Sequence, residues 1–304
     1  MFRFSRRGVK ALLLPASLAL LLVALSGCGA AAGSPGSAAA AAAGPGEPGG
    51  PSPSSASKIT LVIGAYSVAK DALEDLLPAF RAEWQARTGQ EIAFVQSYEA
   101  SGTQARAIVG GFEADVALLA MEGDMDKIAD AGLIDRDWRT GAHGGMVTRS
   151  IVVLGTREGN PLGIRDFADL TRSGVKVLYP NPQTSGGAQW DINAIYGAGL
   201  KRSEAESGRQ DPEAAKRFLA AVHRNIESMD KSGRASMAAF EYGVGDVIVT
   251  YENELLARIA QGVPYDIVVP DSTILIENPA AVVDRKSTRL NSSHIAVSRM
   301  PSSA

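Results

Sequence analysis

Strand patterns and helix patterns alternate between residues 58 and 284, and this alternation constrains the fold more than any other feature. Residues 59–63 (ITLVI) are rich in β-branched side chains, whereas residues 68–87 place apolar side chains three or four positions apart on one helix face. Alternating β and α segments predict parallel sheets flanked by helices. Because 304 residues suffice for two ordinary domains, we expect an α/β fold of two lobes with a cleft between them.

The same patterns continue along the chain. A continuous apolar run at residues 114–119 is typical of a strand covered on both faces. Further strands are predicted at residues 92–95, 151–154, 175–179, 247–251 and 267–269, and helices at 101–109, 125–131, 186–200, 212–226, 235–242 and 253–261. We place the first lobe at residues 58–150, the second at 151–275, and a return crossover toward the first lobe at 276–284.

The N-terminal segment has the pattern of a lipoprotein export signal. Basic residues precede an apolar run at residues 11–25, which is short for a membrane span. The run closes on Leu-Ser-Gly-Cys, which resembles a bacterial lipobox, and Cys28 is the one cysteine of the chain. We interpret residues 1–28 as a signal peptide, with a lipid on Cys28 that anchors the protein in the periplasm or on the outer face of the cell membrane. Residues 29–57 are almost entirely Ala, Gly, Ser and Pro and are expected to form a disordered tether.

The composition changes abruptly after Asp284. Residues 285–304 contain many serines and no acidic residue, and they show neither a strand nor a helix period. This string resembles a translated sequencing adapter. We therefore expect residues 285–304 to be a non-native tail that replaces the true C-terminal part of the chain.

Charge and composition exclude several classes of function. The formal net charge is −3 and no basic cluster occurs before residue 284, so no nucleic-acid partner is expected. The three histidines stand far apart, without cysteines or carboxylates at metal-ligand spacing, so we predict neither a metal site nor a cofactor. One cysteine allows no internal disulfide.

Four turns join the end of a strand pattern, small or hydroxyl residues, and the start of a helix pattern. They lie at Ser67, at Ser101, at residues 184–187 (TSGG) and at residues 232–234 (SGR). Ligands of open α/β folds bind beyond the carboxyl ends of strands. There the first N–H groups of each helix lack internal partners and favour an anion. A serine or glycine in this position is also an ordinary helix cap, so the prediction depends on several turns converging.

Two segments resemble the signatures of one protein family. Residues 181–190 (NPQTSGGAQW) and residues 245–254 (GDVIVTYENE) are similar to those of periplasmic sulfate-binding proteins, and residues 114–120 and 159–161 match as well. The resemblance covers residues 59–284. It implies the class II periplasmic-binding-protein fold, in which two lobes, each a mostly parallel sheet flanked by helices, close on a dehydrated sulfate.

The resemblance also implies a set of ligand-binding residues, carried over by position. The second lobe would donate hydrogen bonds from the TSGG turn, and the first lobe from its own strand-to-helix turns. Tyr251 stands where family members have a tryptophan whose indole N–H binds sulfate; a phenol can replace that donor, but it can also accept. The complete set is Ser67, Ser101, Ser185, Gly186, Gly187, Gly233 and Tyr251.

These signatures predict a monomeric, extracytoplasmic binding protein that captures sulfate and delivers it to the permease subunits of an ABC importer, rather than an enzyme. Sulfate only accepts hydrogen bonds at neutral pH, whereas phosphate carries a proton. A pocket made only of donors would therefore favour sulfate, because it leaves the phosphate proton unpaired. Thiosulfate, molybdate, tungstate and phosphate stay open as alternatives, since the sequence does not report cavity volume.

Two further classes of function stay open. A serine hydrolase could use Ser185, although the Gly-x-Ser-x-Gly elbow is absent and neither His143 nor His223 has an evident acid partner. An adhesion protein could use the same fold without transport. The acidic pair Glu252 and Glu254 is expected to cap a helix rather than perform acid–base chemistry.

Overall fold

The computed structural model describes residues 58–284. The predicted signal peptide with Cys28, the tether at residues 29–57 and the tail at residues 285–304 lie outside the described residues. The strands are β1 (Ile59–Tyr66), β2 (Ile92–Glu99), β3 (Val116–Leu118), β4 (Met146–Arg157), β5 (Val177–Leu178), β6 (Ile226–Ser228), β7 (Val247–Tyr251), β8 (Tyr265–Val268) and β9 (Leu275–Val282). The α-helices are α1 (Lys70–Thr88), α2 (Ser101–Val109), α3 (Glu122–Asp130), α4 (Gly186–Ser207), α5 (Pro212–His223), α6 (Gly233–Glu241) and α7 (Glu252–Ala260).

The strands form two mostly parallel groups, as the alternating pattern predicts. In the first lobe, β2, β1 and β3 run parallel, and β9 adds an antiparallel neighbour to β3. In the second lobe, β6, β5 and β7 run parallel, and β4 lies antiparallel between β7 and β8. The carboxyl ends of β1, β2 and β7 lead directly into the turn or helix that follows, which places those helix starts along the same edge of each sheet.

Strands β4 and β9 connect the two lobes. They pair with each other from Met146 to Ile151 and from Leu275 to Pro279. Beyond this stretch β4 pairs with β7, and β9 pairs with β3. The predicted lobe boundaries fall within these two strands, and the division at those residues stays a prediction.

The prediction of one helix over residues 212–226 is wrong at its end. Helix α5 stops at His223, because Asn225 leaves the helix and donates its side-chain amide to the carbonyl oxygens of Leu170 (2.7 Å) and Arg172 (2.8 Å). Ile226 instead begins β6, which completes the parallel group beside β5.

The second signature begins with a glycine that packing requires. Gly245 has a φ of +69°, and a Cβ at this position would lie 1.8 Å from Leu178 Cδ1. Any other residue would push the start of β7 away from β5. One cluster of buried apolar side chains contains residues of both lobes, and each lobe has a further cluster of its own beneath its helices. Within residues 58–284 no helix is long and apolar enough to cross a membrane.

Candidate anion-binding site

A small cavity lies between the two lobes, where the helix starts meet. Its volume is about 20 Å³, on the scale of one or two water-sized spheres. Pockets for organic ligands are far larger, at about 300–1,000 Å³. The cavity therefore suits a small ion. Six of the seven predicted ligand-binding residues line it, namely Ser67, Ser101, Ser185, Gly187, Gly233 and Tyr251.

Gly186, the seventh predicted residue, lies where the lobes touch rather than on the cavity wall. A Cβ on Gly186 would lie 3.0 Å from Asp124 Oδ2 and 3.2 Å from Ala120 Cβ. This space allows the start of α4 to approach the first lobe closely. The position of Gly186 is thus consistent with a backbone contribution, and it leaves no room for a side chain.

Ser185 caps helix α4 and keeps one donor free. Its hydroxyl accepts the N–H of Ala188 over 3.3 Å, and its own backbone N–H donates to Asn181 O over 2.9 Å. The hydroxyl proton is therefore the donor that Ser185 can offer to a ligand, whereas its N–H is already used within the turn.

The Ser101 hydroxyl is occupied within the protein. It accepts the N–H of Ala120 over 2.9 Å and donates to Asp124 Oδ2 over 2.6 Å. Asp124 is buried and also accepts from Lys127 Nζ over 2.7 Å. Ser101 is the first residue of α2, so its N–H, rather than its hydroxyl, is the group left for an anion.

Two further helix starts complete the wall. Ser67 follows β1 and begins a short 3-10 turn, and it is buried. Gly233 begins α6 after the cap Ser232, whose hydroxyl accepts the N–H of Ala235 over 3.2 Å. A Cβ on Gly233 would lie 3.0 Å from Val68 Cγ2, so glycine lets these two backbone turns from different lobes meet.

Tyr251 ends β7 and presents an unpaired hydroxyl. The side chain is 3% exposed, and its hydroxyl oxygen has no hydrogen-bond partner among residues 58–284. Burial raises the pKa of Tyr251 well above its ordinary value, so the phenol stays neutral and keeps its proton. An ideal Cβ on Gly187 would lie 3.6 Å from this hydroxyl, which places both at one wall.

The expectation of a pocket made only of donor residues is wrong, because an aspartate also lines the cavity. Asp191 of α4 lines the cavity, and its buried carboxyl has an oxygen without a partner among the described residues. Burial raises the pKa of Asp191 well above its ordinary value, because a charged form loses its hydration there. The sequence spacing could have predicted Asp191 at the cavity, because it follows Gly187 by four positions and both therefore lie on one face of α4.

Bonds across the cleft hold the lobes together in this conformation. Gly102 donates its N–H to Thr184 O over 3.1 Å, and the indole of Trp190 donates to Ala120 O over 2.7 Å. Asn278 of β9, the strand beside β3 in the first lobe, donates its side-chain amide to the same carbonyl over 3.0 Å and so positions this acceptor. The bonds made by Gly102 and Trp190 therefore join the two lobes beside the cavity.

Ion pairs add to this closure beside α6. Asp71 of the first lobe contacts Arg234 (3.1 Å) and Arg258 (2.8 Å) of the second. The expectation that Glu254 caps α7 is wrong, because Glu254 makes no capping hydrogen bond and the N–H of Asn253 in the first turn donates instead to Ser150 Oγ over 3.4 Å. Glu254 is instead buried and faces Arg234 Nε over 3.4 Å; burial raises the pKa of Glu254 to about 7.

Comparison with known proteins identifies the family. The family described as bacterial extracellular solute-binding protein matches residues 61–294. The chain belongs to this family. The predicted resemblance and the predicted periplasmic-binding-protein fold are confirmed, because the relatives that follow are similar over most of the chain.

A sulfate-binding protein of Synechococcus elongatus is 39% identical over 76% of this chain and 64% of its own length. This chain thus spans less than two thirds of that relative. A thiosulfate-binding protein of Pseudomonas aeruginosa is 34% identical over 73% of this chain and 66% of its own length. Among solved structures, the sulfate-binding protein SubI of Mycobacterium tuberculosis superposes with a TM-score of 0.68 at 34% identity, over 77% of this chain and 80% of its own.

Proposed function

We propose that this protein captures sulfate and delivers it to the permease subunits of an ABC importer. One observation carries the proposal: six residues chosen from the sequence converge on a single ion-sized cavity between the lobes. Sequence similarity to sulfate-binding proteins supports the same ligand. The proposal includes no catalytic role, since the relatives are binding proteins.

The electrostatics of the cavity favour a dianion. Helices α2, α4 and α6 all begin at its wall, and each helix start carries unpaired N–H groups and the positive end of its dipole. Neither lysine nor arginine lines the cavity among residues 58–284. The anion would thus be held by neutral donors in a dehydrated site, where each hydrogen bond to a charged group contributes about 1.5–3 kcal/mol.

Thiosulfate is the second candidate, and the similarity to a thiosulfate-binding protein favours it. Isothermal titration calorimetry with sulfate, thiosulfate, molybdate and phosphate separates these ligands. We expect sulfate to bind most tightly and phosphate to bind at least about tenfold more weakly, because its proton needs an acceptor. Tighter binding of thiosulfate than of sulfate would reassign the ligand, and binding of none of the four would refute the proposal.

The proposal places the protein outside the cytoplasm as a monomer, with a lipid on Cys28. It rests on the lipobox-like sequence and on the family, which is extracellular. Mass spectrometry of the membrane fraction would detect the lipid on Cys28, and Cys28→Ser should release the protein into the soluble fraction. A Cys28→Ser protein that stays with the membrane would contradict the anchor, and light scattering checks the monomer.

Hydrolysis with Ser185 as nucleophile has less support. The Ser185 hydroxyl caps a helix, and no histidine lines the cavity within the described part of the chain. His223, at the end of α5, has its Nδ1 2.7 Å from the hydroxyl of Tyr179, so this ring nitrogen is already engaged away from Ser185. Ester turnover that is lost in Ser185→Ala would revive this function.

A further inference from the structure

Besides the hydroxyl of Tyr251, one carboxyl oxygen at the anion cavity is buried without a partner among residues 58–284. Asp191 lies one turn after Gly187 on α4, lines the cavity and is 1% exposed. Its Oδ1 has no hydrogen-bond partner among residues 58–284. A buried carboxyl without a partner is unfavourable, so this wall of the cavity lacks the group that would satisfy it.

Among residues 58–284, neither lysine nor arginine lines the cavity beside Asp191, so no cationic side chain there holds it ionised. The titratable groups coupled to it are Tyr179, which follows β5, and Tyr251 of β7; Tyr251 in turn faces Tyr66 of β1 and Asp124 of α3. Both phenols keep their protons, because their own pKa values are raised, so neither supplies a charge, and burial is what disfavours the ionised carboxyl. The pKa of Asp191 is accordingly raised well above that of an exposed aspartate.

We propose that Asp191 is a specificity-determining ligand of the anion, whose carboxyl keeps its proton and donates it to an oxygen of the bound dianion. This inference rests on the proposed function. An ionised carboxylate would face the dianion in a medium of low dielectric, where like charges repel strongly. A protonated carboxyl instead adds one donor to a wall already built of N–H and O–H groups.

The proton of Asp191 makes anion selection depend on pH. Once the carboxyl is ionised, the site repels a dianion. The carboxylate can then accept a hydrogen bond from an anion that carries its own proton, such as hydrogen phosphate. Because sulfate binding requires one proton on Asp191, sulfate affinity should fall about tenfold per pH unit above the pKa of this group.

Calorimetric titration of sulfate into wild type, Asp191→Ala and Asp191→Asn tests the inference. Asp191→Ala, which lacks a donor, should bind sulfate about ten- to a hundredfold more weakly. Asp191→Asn keeps an N–H donor of the same shape and should restore most of that loss, without the decline at alkaline pH that we expect of wild type. Asn193→Ala, an exposed position on the same helix, is the matched control.

The outcomes separate the inference from the proposed function. Wild-type affinity in Asp191→Ala, or a pH profile of Asp191→Asn that matches wild type, would overturn the role of Asp191 alone. A wild-type profile that matches the flat profile of Asp191→Asn over the whole pH range in which the protein stays folded would overturn the pH-dependent selection. Failure of wild type itself to bind sulfate would refute the proposed function. If Asp191→Ala does not fold, the near-isosteric Asp191→Asn still supplies the pH comparison.

Discussion

Gly102 donates its backbone N–H to the carbonyl oxygen of Thr184 over 3.1 Å, from the first turn of α2 to the turn before α4. The bond joins the two lobes beside the cavity. A Cβ on Gly102 would lie 3.0 Å from the same carbonyl, so the close approach depends on glycine. Ser101 and Ser185 are the chain neighbours of the two bonded residues. Closing the cleft therefore also brings these two ligand-binding residues together.

Gly186→Asp should abolish sulfate binding. The new side chain would start 3.0 Å from Asp124 Oδ2 and bring a second negative charge to a buried contact between the lobes. A buried uncompensated charge costs about 3–5 kcal/mol, which corresponds to a loss of more than about a hundredfold in affinity. Calorimetry measures the loss.

Gly197→Ala is the control for Gly186→Asp, because it lies on the same helix and a Cβ there meets nothing within 4 Å. It should leave affinity unchanged and raise helix stability by about 1 kcal/mol. Undiminished sulfate affinity in Gly186→Asp would refute the assignment of the cavity.

Tyr251→Phe should change stability and affinity in opposite directions. The hydroxyl has no partner among the described residues, so its removal should raise the free energy of unfolding by up to about 1 kcal/mol in the absence of ligand. Sulfate affinity should fall about tenfold, because a donor to the anion is lost.

Tyr66→Phe provides the contrast to Tyr251→Phe. The hydroxyl of Tyr66 donates to Asn278 Oδ1 over 3.1 Å, so its removal should lower the free energy of unfolding by about 1 kcal/mol. Chemical denaturation of both variants measures the opposite changes in the free energy of unfolding, and calorimetry measures the change in sulfate affinity. A loss of stability in Tyr251→Phe would show that its hydroxyl already has a partner in the unliganded protein.

Asp71→Asn should speed the release of the anion. The substitution removes the carboxylate that Arg234 and Arg258 of the other lobe share, so the closed form loses a contact that an open form does not have. We expect dissociation to become about tenfold faster, the scale of a partly buried charged hydrogen bond. Stopped-flow measurement of sulfate release tests this.

Glu213→Gln, which removes an exposed ion pair with Lys216, should leave the release rate unchanged. Equal rates in Asp71→Asn and wild type would show that the ion pairs do not hold the cleft shut.

Glu254→Gln should gain stability over wild type as the pH rises. The Glu254 carboxyl titrates at about 7 in the folded protein, against an ordinary value of 4.5, so the native state holds a proton that the unfolded chain has released. Wild type therefore loses about 1.4 kcal/mol per pH unit between these values. The advantage of the variant should widen through that window and stay constant above it. Urea unfolding at several pH values measures the gap, and a constant gap would contradict the raised pKa.

Caps and glycines act locally, so the sequence predicts the starts of the helices at the site closely. Helix α4 begins at Gly186 as predicted, directly after its cap Ser185. Helix α6 begins at Gly233, two residues before the predicted start at residue 235, directly after its cap Ser232. Parallel strands bring their carboxyl ends to one edge of a sheet, which predicts that the turns of one lobe lie side by side, whereas the pairing of turns from different lobes was implied by the family resemblance.

Pairings between distant residues could not be predicted in the same way. Asp71 meets Arg234 only after two lobes have folded and closed, and no local pattern links positions so far apart. The short strand β6 was missed because a side chain of Asn225, bonded to carbonyls in another loop, ends the helix before it. Glu254 was predicted to cap α7 because carboxylates are common in the first turn of a helix. That preference does not report that Glu254 is buried opposite Arg234 in the folded protein.

The ribbon formed by β4 and β9 limits how the protein can move. Two strands that share backbone hydrogen bonds resist sliding, since a shift would break the register between Met146 and Pro279. A ribbon bends and twists far more readily than it shears. Any opening of the cleft is then a rotation of the lobes about this ribbon. Each closure therefore brings the same donors back to the same separation. Neither lysine nor arginine lines the site among residues 58–284, so the site needs that mechanical reproducibility, because neutral donors bind a dianion tightly only when they reach it together.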